Sequence, residues 1–203
     1  QIRQLGFPSL EVLAAFRPKY RWLNRGSLLV AKEIPDVREL PSSGNHIYRV
    51  HDSAEFSEFI SDLTAFELAR FHDSHIFHGD LKSRHVLISG DPEVEHPDIF
   101  FVDLEKTCYQ PRLPSFLKDL LAARDLVQLL SSLPGGRKAA GRIRDKSGFL
   151  SRYLDSRDLT GKRRKRIRKT VCLYLESGRL RQGETLLRGI LRMIVGGKMN
   201  PAD

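Results

Sequence analysis

Residues 78–88 read His78-Gly79-Asp80-Leu81-Lys82-Ser83-Arg84-His85-Val86-Leu87-Ile88, and residues 100–104 read Phe100-Phe101-Val102-Asp103-Leu104. This order sets an aspartate in a loop, a lysine two residues on, a metal-capable side chain five residues on, and a second aspartate after a hydrophobic strand. Phosphoryl transfer from a nucleotide needs those parts. An aspartate orients the attacking hydroxyl, a cation steadies the transferred group, and two ligands hold the metal that bridges the phosphates. On this pattern Asp80 and Lys82 are the candidate catalytic residues, and His85 and Asp103 the candidate metal ligands.

Working outward, residues 9–17 and 27–34 read as two strands joined by a turn at Arg25-Gly26. A polar linker centred on Pro41-Ser42-Ser43-Gly44-Asn45 follows. Ser53 is placed to cap a helix running to about Asp73, in which Phe56, Phe59, Ile60, Leu63, Phe66 and Leu68 fall near a 3.6-residue period. Beyond the loop, 86–88 and 99–102 read as a hairpin around Gly90-Asp91-Pro92. Helices are expected at 115–133, 145–155, 160–177 and 183–195, with Gly135-Gly136, Gly161 and Gly178 between or beside them.

The motif spacing and this element order resemble the protein-kinase-like superfamily. His85 stands where that superfamily usually has Asn, and Asp103-Leu104-Glu105 replaces Asp-Phe-Gly. In both respects the chain is similar to the lipopolysaccharide core sugar kinases, the Kdo/heptose kinase family. The resemblance implies an α+β, protein-kinase-like fold with a mostly helical C-lobe. Residues 1–34 would be the residual N-lobe strands and hinge, with Lys32-Glu33-Ile34 beside the nucleotide. Residues 35–203 would be the C-lobe carrying the catalytic loop and metal-binding hairpin. ATP and Mg are the implied cofactors. Imidazole is a softer ligand than oxygen, so Mn is also accommodated at His85.

The same resemblance assigns supporting roles. His78 would shape the loop. Asp125, within Arg124-Asp125-Leu126, would accept hydrogen bonds from the loop backbone, with Asp119 as its competitor. A buried carboxylate without partners is costly, so such an arrangement is physically reasonable. Gly79 replaces the Arg common in protein kinases, which removes the cation that would await an activation-loop phosphate. Glu105 is expected to face solvent, with Lys106 offsetting its charge. The Gly-rich loop and strand Lys that hold ATP in kinases have no counterpart upstream of the first strand. The chain is therefore expected to lack the front of the N-lobe and, alone, to be a poor catalyst.

Charge is unevenly spread over the 203 residues. Residues 1–103 hold 11 Lys/Arg and 16 Asp/Glu, and residues 104–203 hold 23 and 9, giving balances of −5 and +14 within the net +9. Lys162-Arg163-Arg164-Lys165-Arg166-Ile167-Arg168-Lys169 puts seven cations in eight positions. With no aromatic residue interleaved, the run argues against single-stranded nucleic acid. It suits an anionic membrane surface, where each Lys or Arg gains about 1 kcal/mol. No apolar run is long enough to span a bilayer. Cys108 and Cys172 have no metal-ligand spacing and suit a reducing, cytoplasmic setting. The expected activity is ATP-dependent phosphorylation of a heptose or Kdo hydroxyl on a lipid A–core glycolipid, at the inner face of a bacterial inner membrane. An atypical protein Ser/Thr kinase and a truncated pseudokinase-type binding module are the rival expectations.

Overall fold

The computed structural model describes residues 6–8, 12–16, 28–34, 37–39, 54–90, 97–133 and 143–177. The expected linker centre at 41–45, the turn at 91–92, the glycines at 135–136 and the helix at 183–195 lie outside the described residues. Strands β1 (Val12–Phe16) and β2 (Leu28–Ala31) pair antiparallel, from Phe16 opposite Leu28 to Val12 opposite Ala31. The register slips between Val12 and Ala14, and Leu13, at the slip, is exposed. An unpaired extra residue of this kind is turned away from the ladder.

Residues 35–53 are not a linker throughout. Strand β3 (Val37–Glu39) lies within that stretch and pairs antiparallel with β5 (Val86–Ser89), which in turn pairs with β6 (Asp98–Phe101). Val-Arg-Glu carries no alternating apolar signal, and its place in the sheet depends on β5 being there to receive it. The β5–β6 hairpin follows the expected period of two. Val86, Ile88, Ile99 and Phe101 point into the core, while Leu87 and Phe100 are only half-buried. Two short strands escaped the sequence reading: β4 (Ile76–Phe77) and β7 (Cys108–Tyr109), paired antiparallel.

Helix α1 (Ala54–Asp73) buries Ile60, Thr64, Ala65, Leu68, Ala69, Phe71 and His72. Phe59 and Phe66 are exposed instead. The largest apolar side chains of the helix thus do not all mark its inner face. Phe66 lies on the same side as the Arg70 guanidinium, 6.0 Å from its ring centroid. Helix α1 ends at Asp73, and His75, with a left-handed φ of 63°, turns the chain into β4. Helices α2 (Ser115–Ser132), α3 (Ile143–Asp155) and α4 (Gly161–Ser177) follow. α3 packs on α1 and α4 on α2. The shared core gathers Phe71, Phe101, Leu126, Leu129, Leu130, Tyr153, Leu154, Ile167 and Val171. Each large side chain buried there stabilises the fold by roughly 1.5–3 kcal/mol. Among the described residues no helix is long and apolar enough to cross a membrane.

Polar contacts fix how the helices sit. Arg152 of α3 pairs with Glu58 and Asp62 of α1. Asp119 of α2, only 1% exposed, receives Arg163 of α4 at 2.7 Å and Arg166 at 3.1 Å. The basic run is therefore not one solvated face. Arg163 and Arg166 clamp α4 to α2, and Arg164 pairs with Asp155.

Candidate active site

The segment 78–85 is held along one face of α2. The His78 N–H donates to Asp125 Oδ2 at 2.7 Å and the Gly79 N–H to Asp125 Oδ1 at 3.0 Å. The Leu81 N–H donates to Gln128 Oε1 at 3.2 Å, and the Ser83 N–H to Ser132 Oγ at 2.7 Å. Positions 125, 128 and 132 are spaced three and four apart, so one helix face presents all three acceptors. Sequence reasoning reached Asp125 but missed Gln128 and Ser132. Their helical spacing from Asp125 was the available signal.

Asp125 is itself held from behind. Its Oδ2 lies 3.3 Å from His72 Nε2, and His72 Nδ1 lies 2.6 Å from the Tyr153 hydroxyl. Arg157 donates to that hydroxyl at 2.7 Å and to Asp73 Oδ1 at 2.7 Å. The directions are consistent along the chain. Arg157 donates to the Tyr153 oxygen, Tyr153 donates to His72 Nδ1, and His72 Nε2–H donates to Asp125. Burial lowers the pKa of His72, which keeps the ring neutral, as this relay requires. Burial pushes the Asp125 carboxyl up, but the His72 hydrogen bond and the Arg124 charge outweigh it and hold the group below its usual range. In contrast, Asp119 makes its contacts with α4 rather than with the loop.

His78 joins the loop to the second aspartate. Its Nε2–H donates to the Val102 carbonyl at 2.8 Å, and the Val102 N–H donates to the His85 carbonyl at 2.9 Å. These two bonds lay the end of β6 along the loop and bring Asp103 beside His85. His85 Nδ1–H donates to the Asp80 carbonyl at 2.8 Å, which leaves the lone pair on Nε2, 3.3 Å from Asp103 Oδ2. A second ring N–H given to a backbone carbonyl is how metal-ligating histidines are commonly oriented. Arg84 Nε also donates to His85 Nε2 at 3.0 Å. Asp103 sits at φ 60°, a left-handed conformation that Asp tolerates better than most residues. Among the described residues there is no cluster of three or more metal-ligating side chains.

Asp80 is flanked by two ammonium groups. Lys82 Nζ lies 3.0 Å from Oδ1 and Lys106 Nζ 2.6 Å from Oδ2. Partial burial pushes the Asp80 carboxyl up, but hydrogen bonds from Lys106 and Lys82 outweigh it and bring it down to about 2. The group is thus an anion throughout the neutral range. Lys106 corrects the sequence reading, in which it offset Glu105. Twenty-six positions separate it from Asp80, so no local spacing could announce the pair. Lys32, Glu33 and Ile34 lie between β2 and β3.

Gly79 makes the Lys106 approach possible. Its φ is +85°, and a Cβ there would stand 2.5 Å from the Lys106 carbonyl oxygen. A Gly79→Ala variant is expected to lose about 2 kcal/mol or more. Left-handed backbone costs an L-residue roughly 1–2 kcal/mol, and the collision adds to it. Urea unfolding of the two proteins would measure this, and equal midpoints would contradict it.

A family model described as the lipopolysaccharide kinase (Kdo/WaaP) family matches residues 1–153. The chain belongs to this family. A solved structure of WaaP in complex with acyl carrier protein is similar at 17% identity and a TM-score of 0.55, over 92% of this chain and 72% of that one. The Rio2 kinase-ADP/Mg2+-phosphoaspartate complex from Chaetomium thermophilum aligns at 19% identity and a TM-score of 0.39, over 87% of this chain and 51% of that one. Among curated proteins no match is found. The fold is protein-kinase-like, and the family is one of phosphotransferases. The family is described as one of lipopolysaccharide kinases.

Proposed function

We propose that this chain transfers the γ-phosphoryl group of ATP to a heptose or Kdo hydroxyl of the lipopolysaccharide inner core. The observation that carries this reading is an ionised Asp80 between two lysines, on a loop whose far end sets His85 against Asp103. Asp80 orients the acceptor hydroxyl and draws off its proton. Lys82 balances charge on the transferred phosphoryl. Lys32, Glu33 and Ile34 form the hinge between residues 1–34 and 35–203, and receive the nucleotide base.

The donor set fits one divalent cation. The half-exposed Asp103 carboxylate is an oxygen ligand suited to Mg, and His85 Nε2 joins it once Arg84, an exposed side chain, moves off. When bound, the cation neutralises phosphate charge. The nitrogen ligand also makes Mn acceptable.

The test is transfer of radiolabelled γ-phosphate from ATP by the full-length protein to a deep-core lipopolysaccharide, with a generic protein substrate in parallel. Label in the glycolipid, lost in Asp80→Asn, is the expected result. Label in protein instead would make the chain an atypical protein kinase. ATP binding without transfer to either would make it a pseudokinase-type module.

Two cations of the basic run, Arg163 and Arg166, are taken up by Asp119, which leaves other members of the run to any anionic surface. Lys162, Lys165 and Lys169 are exposed and spaced along one side of α4, whereas Arg163 and Arg166 are engaged with Asp119. We assign the three lysines to the anionic surface of the inner membrane. Replacing all three by Gln should weaken binding to anionic vesicles on the order of tenfold or more, since two engaged lysines already contribute roughly 1 kcal/mol each. The difference should shrink as salt rises. Unchanged vesicle binding at low salt would remove the assignment. Loss of acyl carrier protein binding instead would give the face to a protein partner, like the one in the WaaP structure.

A further inference from the structure

We infer that Lys106 touches the phosphoryl acceptor and selects one that carries an anionic group beside the reacting hydroxyl. This rests on the kinase reading of Asp80 given above. A hydroxyl that gives its proton to Asp80 must come within about 2.6–3.2 Å of a carboxylate oxygen. The Asp80 side chain is only 17% exposed, and each of its oxygens already faces an ammonium. Lys106 Nζ is 2.6 Å from Oδ2, so a hydroxyl on that oxygen arrives beside Lys106 or in its place.

The two lysines are not equivalent. Lys82 comes from the loop itself and is 37% exposed, whereas Lys106 reaches in from the segment after β6 and is 56% exposed. An ammonium has three N–H donors. Asp80 takes one from Lys106, and the outward side of the group remains open to a ligand oxygen. A carboxylate or phosphate on the acceptor can receive those donors and draw Lys106 away from Oδ2 as the hydroxyl takes its place. A neutral acceptor must instead compete with Lys106 for Oδ2 without that compensation.

The backbone of Lys106 is placed for this role. The Thr107 N–H donates to the Leu104 carbonyl at 3.0 Å, closing a short turn over residues 104–106. Thr107 Oγ1 lies 3.4 Å from the His78 carbonyl. The turn thereby rests on Gly79, where the absent side chain gives the Lys106 carbonyl room. Glu105, its neighbour, is exposed and has no described contact with Asp80, so the loop presents its cation inward.

The experiment measures KM for two matched acceptor pairs with the full-length protein: Kdo against its methyl ester, and a heptose phosphate against the free heptose. Wild type should favour the charged member of at least one pair by roughly fivefold, the value of one well-placed exposed ion pair. Lys106→Met should erase that preference by raising KM for the charged sugar, with the neutral sugar's KM not raised. Lys106→Arg should retain it, as should Arg112→Met, which removes an exposed cation with no described contact to Asp80. Preference confined to one pair tells a carboxylate from a phosphate. A preference absent from wild type, or equal in wild type and Lys106→Met, overturns the inference. If wild type phosphorylates none of the four sugars, the kinase reading fails separately, and binding of the same sugars followed by NMR decides on Lys106. Tighter binding of a charged sugar that depends on Lys106 supports the contact, and any other result there overturns it.

Discussion

Asp80→Ala is expected to lower kcat by about 10²–10⁴-fold, the usual contribution of a positioned base, while KM for ATP stays within a few-fold. On the proposed mechanism the carboxylate acts on the acceptor hydroxyl and its interaction strengthens only as the proton leaves, so nucleotide binding would not depend on it. Folding should be little affected. The side chains freed by the change, Lys82 and Lys106, are 37% and 56% exposed and are solvated once released. Steady-state kinetics with varied ATP, alongside urea unfolding, separates the two effects. Turnover near wild type would take Asp80 out of the mechanism.

Asp125→Ala should be the most destabilising single change at the site, by about 4 kcal/mol. Each buried donor left unmet costs about 1–3 kcal/mol, and the His78 N–H, the Gly79 N–H and the His72 Nε2–H all lose their acceptor. The Asp125 carboxylate is fully buried and serves the N–H groups of His78 and Gly79 as well as His72. With a typical domain stable by about 5–15 kcal/mol, the variant loses a large fraction of its margin. Asp119→Ala is the informative comparison. Asp119 is equally buried and holds two arginines of α4. It has no described bond to the loop, so its loss should cost stability while leaving the kinetic constants of the folded fraction unchanged. Urea midpoints for both variants, with kcat at a temperature where each is folded, check the pair. A destabilisation below 1 kcal/mol for Asp125→Ala would show that α2 does not hold the loop.

The residues of the candidate site differ in how visible they were beforehand. Asp80, Lys82, His85 and Asp103 stand at spacings that a loop and a hairpin translate into neighbours, so their order along the chain already suggested one site. The β5–β6 hairpin and the helices at 54–73, 115–132, 143–155 and 161–177 were likewise legible from period and punctuation. Phe59 and Phe66 misled as markers of the buried face of α1, because an aromatic ring at a helix surface can lie along an arginine instead of in the core. The basic run at 162–169 was assigned as a whole to an anionic membrane surface. Its internal division was invisible until Asp119 appeared beneath it.

The sequence by itself determined the kinase-type loop, the metal-pair candidates and the mostly helical second half, because these rest on local spacing and backbone preference. Only the tertiary structure decided that Lys106 shares Asp80, that Gln128 and Ser132 join Asp125 in holding the loop, and that Asp73, Arg157, Tyr153 and His72 stand behind it. It also decided that residues 37–39 form a strand. The reason is physical. Apart from Arg157–Tyr153, four positions apart, these contacts join groups tens of residues apart, and each exists only where the segments carrying its two groups pack together. The partners of a buried polar atom are set by which chain segments close over it, and short-range sequence pattern does not contain that information.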